Sequence, residues 1–169
     1  MQFFMFFSFL IDGFAHASEA LIGKFVGSRN RDSLKKVIRL LFVWGTGISL
    51  VFTLIYLFAG KPIISLLTDI PVVKENAQPY IFWVIIIPLV SFSAFLWDGI
   101  YIGATAGKAM RNAMLISTLA IFFPAYWILV RIIDNHGLWL AFILFLGARG
   151  ISMSLMAKNA IFKLIPVKE

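Results

Sequence analysis

The sequence predicts an all-α integral membrane protein with five transmembrane helices, and three observations carry that prediction. The 169 residues are 61% hydrophobic and only 14% charged, which takes the chain out of the soluble globular class. Five apolar stretches each approach the ~20 residues that cross a ~30 Å hydrocarbon core as a helix. The loops between them are too short to hold a water-soluble domain, so a soluble enzyme is excluded. Lipid offers no partner to a backbone N–H or C=O, so each crossing must bond internally; the alternating polarity of a closed barrel is absent.

The expected helices run from Phe3 to Val26, Val37 to Ala59, Tyr80 to Ile102, Met114 to Val130 and Leu138 to Ala157. In the first, Met1 and Gln2 lead into FFMFF with neither a basic n-region nor a small-residue cleavage site, so no signal peptide is expected. The chain is instead expected to open inside or at the edge of a helix, as a fragment of a longer protein would. Between the second and third segments, GKPIISLLTDIPVVKENAQPY reads as a short amphipathic helix opened by Pro62 with a restart near Ile70, lying along the membrane surface. Pro88 and Pro124 each remove one helical hydrogen bond and favour a bend in the third and fourth segments. Trp127 and Trp139 stand at outer helix ends, where interfacial aromatics gather.

Charge sets the expected orientation. The first loop carries Lys24, Arg29, Arg31, Lys35, Lys36 and Arg39, the third Lys108 and Arg111, and the tail Lys158, Lys163 and Lys168; the other two loops hold only Lys61, Lys74 and Arg131. The positive-inside bias then places the C-terminus in the cytoplasm. The net charge of +7 sits in short clusters between apolar runs, which argues for topology and against nucleic acid as a partner. With no cysteine and two histidines, neither a thiolate metal site nor a bis-histidine haem is expected.

Charges within the apolar segments are the candidate functional residues, because each costs ~2.5–3.5 kcal/mol on insertion. Asp98, in SAFLWDGIYIG, lies about ten residues or ~15 Å from the basic boundary, near the midplane, with no basic neighbour in its own helix. It must face a wet cavity, pair with another helix or hold a proton, and each option suits cation coupling. Asp12, His16 and Glu19, spaced i, i+4, i+7, form one polar stripe on the first helix, open to three readings: cavity lining or proton relay, interhelical bonding, or a metal site that would need a fourth ligand. Beside it, Gly23 and Gly27 offer a small-xxx-small contact surface. Arg149 lies too deep in the fifth helix to snorkel and calls for a carboxylate partner that the sequence does not identify. Trp97 and Tyr101 flank Asp98 and are candidates for stacking on an aromatic cation.

DGFAHASEALIGKFVGSRNRDSLKK from Asp12, LLTDIPVVKENAQPY from Leu66 and FLWDGIYIGATAGKAMRNAM from Phe95 together resemble the multidrug and toxic compound extrusion (MATE) family, particularly its DinF-like branch, over nearly the whole chain. The resemblance implies a twelve-helix antiporter of two six-helix lobes that exports amphipathic or cationic compounds in exchange for H⁺ or Na⁺. It places these five helices as the eighth to twelfth, an incomplete C-terminal lobe, with the N-terminal lobe supplied from elsewhere. Asp98 matches the coupling acid of the tenth helix, and Asp12 with Glu19 match the acidic pair of the eighth. Ala94 stands where some Na⁺-coupled relatives carry a tyrosine. The resemblance thus implies cation coupling at Asp98, Asp12 and Glu19 and a substrate cavity that includes His16, Trp97, Tyr101 and Arg149, in the inner (plasma) membrane. A lipid or polysaccharide flippase of the same superfamily and a non-transporting accessory subunit are the alternative readings; no HExxH, DDxxD or SxxK pattern supports an enzyme.

Overall fold

The computed structural model describes residues 2–164, and among them there is helix and no strand. Four helical runs are long and apolar enough to cross a membrane: Gln2–Gly27, Arg31–Leu67, Pro71–Gly103 and Gly107–Ala160. The elements are α1 (Gln2–Gly27), α2 (Arg31–Leu67), the short α3 (Pro71–Ala77), α4 (Ile81–Gly103), α5 (Gly107–Leu115) and α6 (Phe123–Ala160). A wide π turn, Ile116–Phe122, joins α5 to α6.

The last run is one crossing too long to be straight, since 54 residues would extend about 81 Å as a continuous helix. It folds back on itself. Ile133 (φ −131°, ψ 25°) and Asp134 (φ 48°, ψ −129°) leave helical geometry, and the rings of Phe122 and Phe145 lie 5.9 Å apart, where a straight helix would separate them by roughly 34 Å. Gly137 makes the hairpin tight: a methyl there would strike the Leu129 carbonyl. Five membrane-length segments result, in keeping with the apolar pattern of the sequence.

The α1–α2 turn is built by SRNRDS. Arg29 takes a left-handed φ of 53°, and the Asn30 side chain accepts the Ser33 N–H at 3.0 Å, capping α2. The second connection corrects the sequence reading. Pro62 does not open a surface helix but lies inside α2, which continues to Leu67. Stopping near Ala59 would strand up to four carbonyls in an apolar setting, whereas running through a proline forfeits one bond. The helix stops where a side chain competes for the backbone: Thr68 turns extended, and its Oγ1 accepts the Ile70 N–H at 3.3 Å. Pro71 then opens α3. Pro88 is accommodated inside α4; the nearby Ile85 carbonyl receives a bond from Thr53 Oγ1 of α2 at 3.2 Å. Ahead of Pro124, the Phe123 N–H reaches five residues back to Thr118, a π widening of the kind that insertions into the helical ladder produce.

Helix α4 is the hub, packed by α1, α2 and α6. It runs parallel to α1, with Ala15 against Gly99 and Glu19 against Gly103. It runs antiparallel to α2, where Gly45 faces Leu96 and Phe42 packs on Trp97 with centroids 5.2 Å apart. The second half of α6 lies parallel to α4, with Gly147 under Val90 and Gly150 against Ser93. Small residues do make the close contacts, as membrane packing requires, but the pair that seats α1 is Gly99 and Gly103 on α4. Of the expected Gly23 and Gly27 surface, Gly23 reaches only ordinary contact, a methyl there lying 3.5 Å from the Gly103 carbonyl oxygen, and Gly27 faces open space. A small-xxx-small spacing marks a surface able to approach closely; the partner's relief decides which one does.

Two apolar clusters fill the interior. Phe3, Phe7, Ile11, Tyr56, Ile64 and Leu96 pack toward one end; Ile22, Leu34, Leu41, Ile100, Tyr101 and Met153 pack toward the other. Phe58, Leu66 and Leu155 are largely exposed, as fits a surface solvated by lipid. The parallel and antiparallel registers bring the basic α1–α2 turn, the α4–α5 turn and the end of α6 to one end of the bundle. Lys61, Lys74 and Arg131 sit toward the opposite end; Lys168 lies outside the described residues.

Candidate functional site

Asp98 occupies a stretch of α4 that faces three helices in succession. Trp97 packs on Phe42 of α2 and Gly99 admits α1, while Ser93 and Ala94, one turn earlier, admit α6 at Gly150. Because Gly147 and Gly150 bring the α6 backbone against α4, the Arg149 side chain between them reaches the Asp98 carboxylate. Its Nη2 donates to both oxygens, at 2.7 Å to Oδ1 and 2.6 Å to Oδ2. The two side chains keep only 14% and 19% of their surface exposed. Arg149 thus finds the carboxylate that its depth demanded, and of the options open to Asp98 the structure displays pairing with another helix.

Asp12 is the third charge. It lies one helical turn before Ala15, whose carbonyl abuts Gly99, the residue next to Asp98. It is half-buried and within electrostatic reach of Arg149, Asp98 and His16. Among the described residues its carboxylate has no hydrogen-bond or ion-pair partner. His16 and Glu19 continue the stripe away from this centre: His16 Nδ1 stands 3.7 Å from Glu19 Oε2, with side chains 79% and 41% exposed. The structure therefore joins Asp98 and Arg149, places Asp12 near them on the facing helix and leaves His16 and Glu19 as a separate surface pair. No group of three potential metal ligands comes together among the described residues.

Trp97 and Tyr101 hold α4 to α6. The Trp97 Nε1–H donates to Ser154 Oγ at 2.7 Å and the Tyr101 hydroxyl to the Met153 carbonyl at 2.7 Å, and both rings are buried. The amphipathic tips of both rings thus find partners inside the lobe.

A second aromatic group was not visible in the sequence. At the end of the lobe remote from the basic turns, the Trp83 indole N–H donates to His136 Nδ1 at 2.9 Å. Tyr80 lies on His136 with centroids 4.9 Å apart and stacks on Trp139 at 6.2 Å. Beside it Phe3, Ile64, Leu67 and Val84 line a largely apolar cavity of about 320 Å³. The signals in the sequence were Trp139, placed at an outer helix end, and the histidine of DNHGLW at the turn of the α6 hairpin; their meeting with Tyr80 and Trp83 was not legible.

With this geometry in place, comparison with known proteins is direct. The MatE family model matches residues 1–127. The DNA damage-inducible protein F of Escherichia coli (strain K12) is 36% identical over 154 residues, which cover 91% of this chain and 33% of the relative. The chain thus spans about a third of the length of that relative. No solved structure matches the chain.

Proposed function

The chain belongs to the MatE family, and from that premise we propose that it forms the C-terminal lobe of a secondary active antiporter that exports amphipathic or cationic compounds in exchange for a cation, a proton rather than Na⁺. Members of the family are transporters, not enzymes. One observation carries the reading: Asp98 and Arg149 pair where membrane-length helices cross, with a third charged residue, Asp12, one turn from the α1–α4 contact beside them. Buried charge in a membrane segment is costly and is retained where it moves ions or substrates.

Asp98, Asp12 and Glu19 are the acids of the coupling path, Asp98 and Asp12 at the charged centre and Glu19 beside His16 on the exposed side of α1. His16 lines the path on the exposed side of α1, and Arg149 sets the charge of the centre. Trp97 and Tyr101 serve by holding α4 against α6. Exchange follows from electrostatics: one negative charge in a low-dielectric setting cannot favour a proton and a cationic compound at once, so entry of either expels the other. Ala94, in place of the tyrosine of some Na⁺-coupled relatives, supports the proton as the coupling ion.

In everted membrane vesicles containing the full-length polypeptide that carries this segment, acidifying the lumen should drive accumulation of a cationic dye, and an imposed Na⁺ gradient should not. Accumulation indifferent to the proton gradient would refute the reading.

The protein lies in the inner (plasma) membrane with the basic end of the lobe in the cytoplasm, on the strength of the positive-inside bias. Because the chain contains no cysteine, single cysteines at Arg29 and Asn76, both exposed, report on it cleanly. An impermeant thiol reagent applied to the outer face should label position 76 and spare 29; the reverse pattern would invert the topology.

A further inference from the structure

We infer that Asp12, not Asp98, is the carboxylate that exchanges its cation, and that Arg149 is a tethered cation that keeps Asp98 out of the exchange. This inference rests on the antiport reading and assigns the roles within it. The first argument is one of valence. Two carboxylates lie near one guanidinium, which is bound to Asp98 alone, so the three groups together carry one net negative charge and neutralise one monovalent cation at a time. The second is one of occupancy. Asp98 has Arg149 Nη2 on both of its oxygens at 2.6 and 2.7 Å, and a proton or a cationic compound arriving there must first displace a group bound to the same chain. Asp12 is half-buried and, among the described residues, unpartnered, so a cation meets no such obstacle.

The third argument is one of placement. The groups that face Asp12 are His16 and Glu19 farther along its own helix, Asp98 on α4 and Arg149 on α6; α2 brings no charged side chain to this level among the described residues. Asp12 therefore stands between the exposed His16 of α1 and the closed pair of α4 and α6. With its charge uncompensated, Asp12 competes with Asp98 for Arg149; with a cation bound, it releases Arg149 wholly to Asp98. The ion pair that joins α4 to α6 thereby responds to the loading of α1. Arg149 and Asp98 are positioning residues, and the class of substrate that fits is a monovalent, lipophilic cation.

Charge rescue tests the assignment in the full-length polypeptide, with gradient-driven uptake of a monovalent cationic dye into everted vesicles as the readout. Asp12→Asn should abolish uptake. Asp98→Asn should abolish it as well, because the freed Arg149 turns to Asp12 and occupies it. Removing both members of the pair, Asp98→Asn with Arg149→Gln, should restore uptake, since the net charge at Asp12 is again negative. A merely structural pair could recover through stability alone, so unfolding in detergent is followed alongside, and the assignment requires that Asp98→Asn lose uptake while still folded. A double variant as inactive as Asp98→Asn, or an Asp12→Asn protein that still exchanges, would overturn the inference.

A conservative variant guards against misfolding. Asp12→Glu keeps the charge and should shift the pH midpoint of dye binding in detergent; an unmoved midpoint would also overturn the inference. If the unmodified protein shows no exchange under any imposed gradient, the antiport reading falls and this inference with it. An active unmodified protein beside an inactive double variant overturns the inference alone.

Discussion

Gly99→Leu should be among the most damaging apolar substitutions in the lobe, with a loss of about 3 kcal/mol or more of stability in detergent, at the upper end of what overpacking costs. A Cβ at position 99 would meet the Ala15 carbonyl and, at 2.5 Å, Ser18 Oγ. The obstruction is helix backbone on α1, which cannot rotate away as a side-chain tip would. Helices α1 and α4 would have to part, opening the seam beside Asp12 and Asp98. Two controls isolate the cause. Gly13 has nothing within 4 Å of a would-be methyl, so Gly13→Leu should be close to neutral. Gly23, whose methyl would lie 3.5 Å from the Gly103 carbonyl oxygen, should fall between the two. Thermal unfolding of the three variants checks the order, and equal shifts would refute the account of the α1–α4 contact.

Much of the fold was legible because lipid leaves the sequence few choices. A run of about 20 apolar residues can cross only as a helix, and five such runs were countable. Even the hairpin inside the last helical run left a trace, since Asp134, Asn135, His136 and Gly137 interrupt the apolar pattern. The end of α2 was not legible. Pro62 looked like a start signal, but a lost bond at one proline is cheaper than a helix end stranded beside lipid. The close seam was assigned to the wrong helix for a related reason. Gly23 with Gly27 and Gly99 with Gly103 have the same spacing, and only the register of α1 against α4 distinguishes the filled surface from the open one.

The charged centre was half legible. The depth of Arg149 in an apolar helix required a carboxylate, but Asp12, Glu19 and Asp98 were equal candidates until α6 was docked on α4. That docking is set by Gly147, Gly150 and Ser93, residues whose smallness carries no hint of charge pairing. The hydrogen-bond partners of Trp97 and Tyr101, Ser154 and the Met153 carbonyl, were not legible, since they lie more than fifty positions away and meet these rings only once the helices pack. In a chain with 18 phenylalanines, aromatic residues beside an acid carry little information of their own.

The second large effect belongs to the ion pair. Removing one member of a buried pair leaves the other charged and desolvated, at a cost of about 3–5 kcal/mol. The residual exposure of 14% for Arg149 and 19% for Asp98 lowers this to roughly 2–4 kcal/mol for Arg149→Gln, and to less for Asp98→Asn, where the freed Arg149 turns to Asp12. Replacing both removes the uncompensated charge together with the attraction, so the double variant should be no less stable than the worse of the two single ones. Asp98 and Arg149 therefore form the natural pair for a double-mutant cycle. Unfolding free energies of the full-length polypeptide and the three variants, in one detergent at one pH, give the interaction directly. The account predicts a coupling of about 2 kcal/mol or more; single effects that add to within about 0.5 kcal/mol would mean that Arg149 does not hold Asp98, and would contradict it.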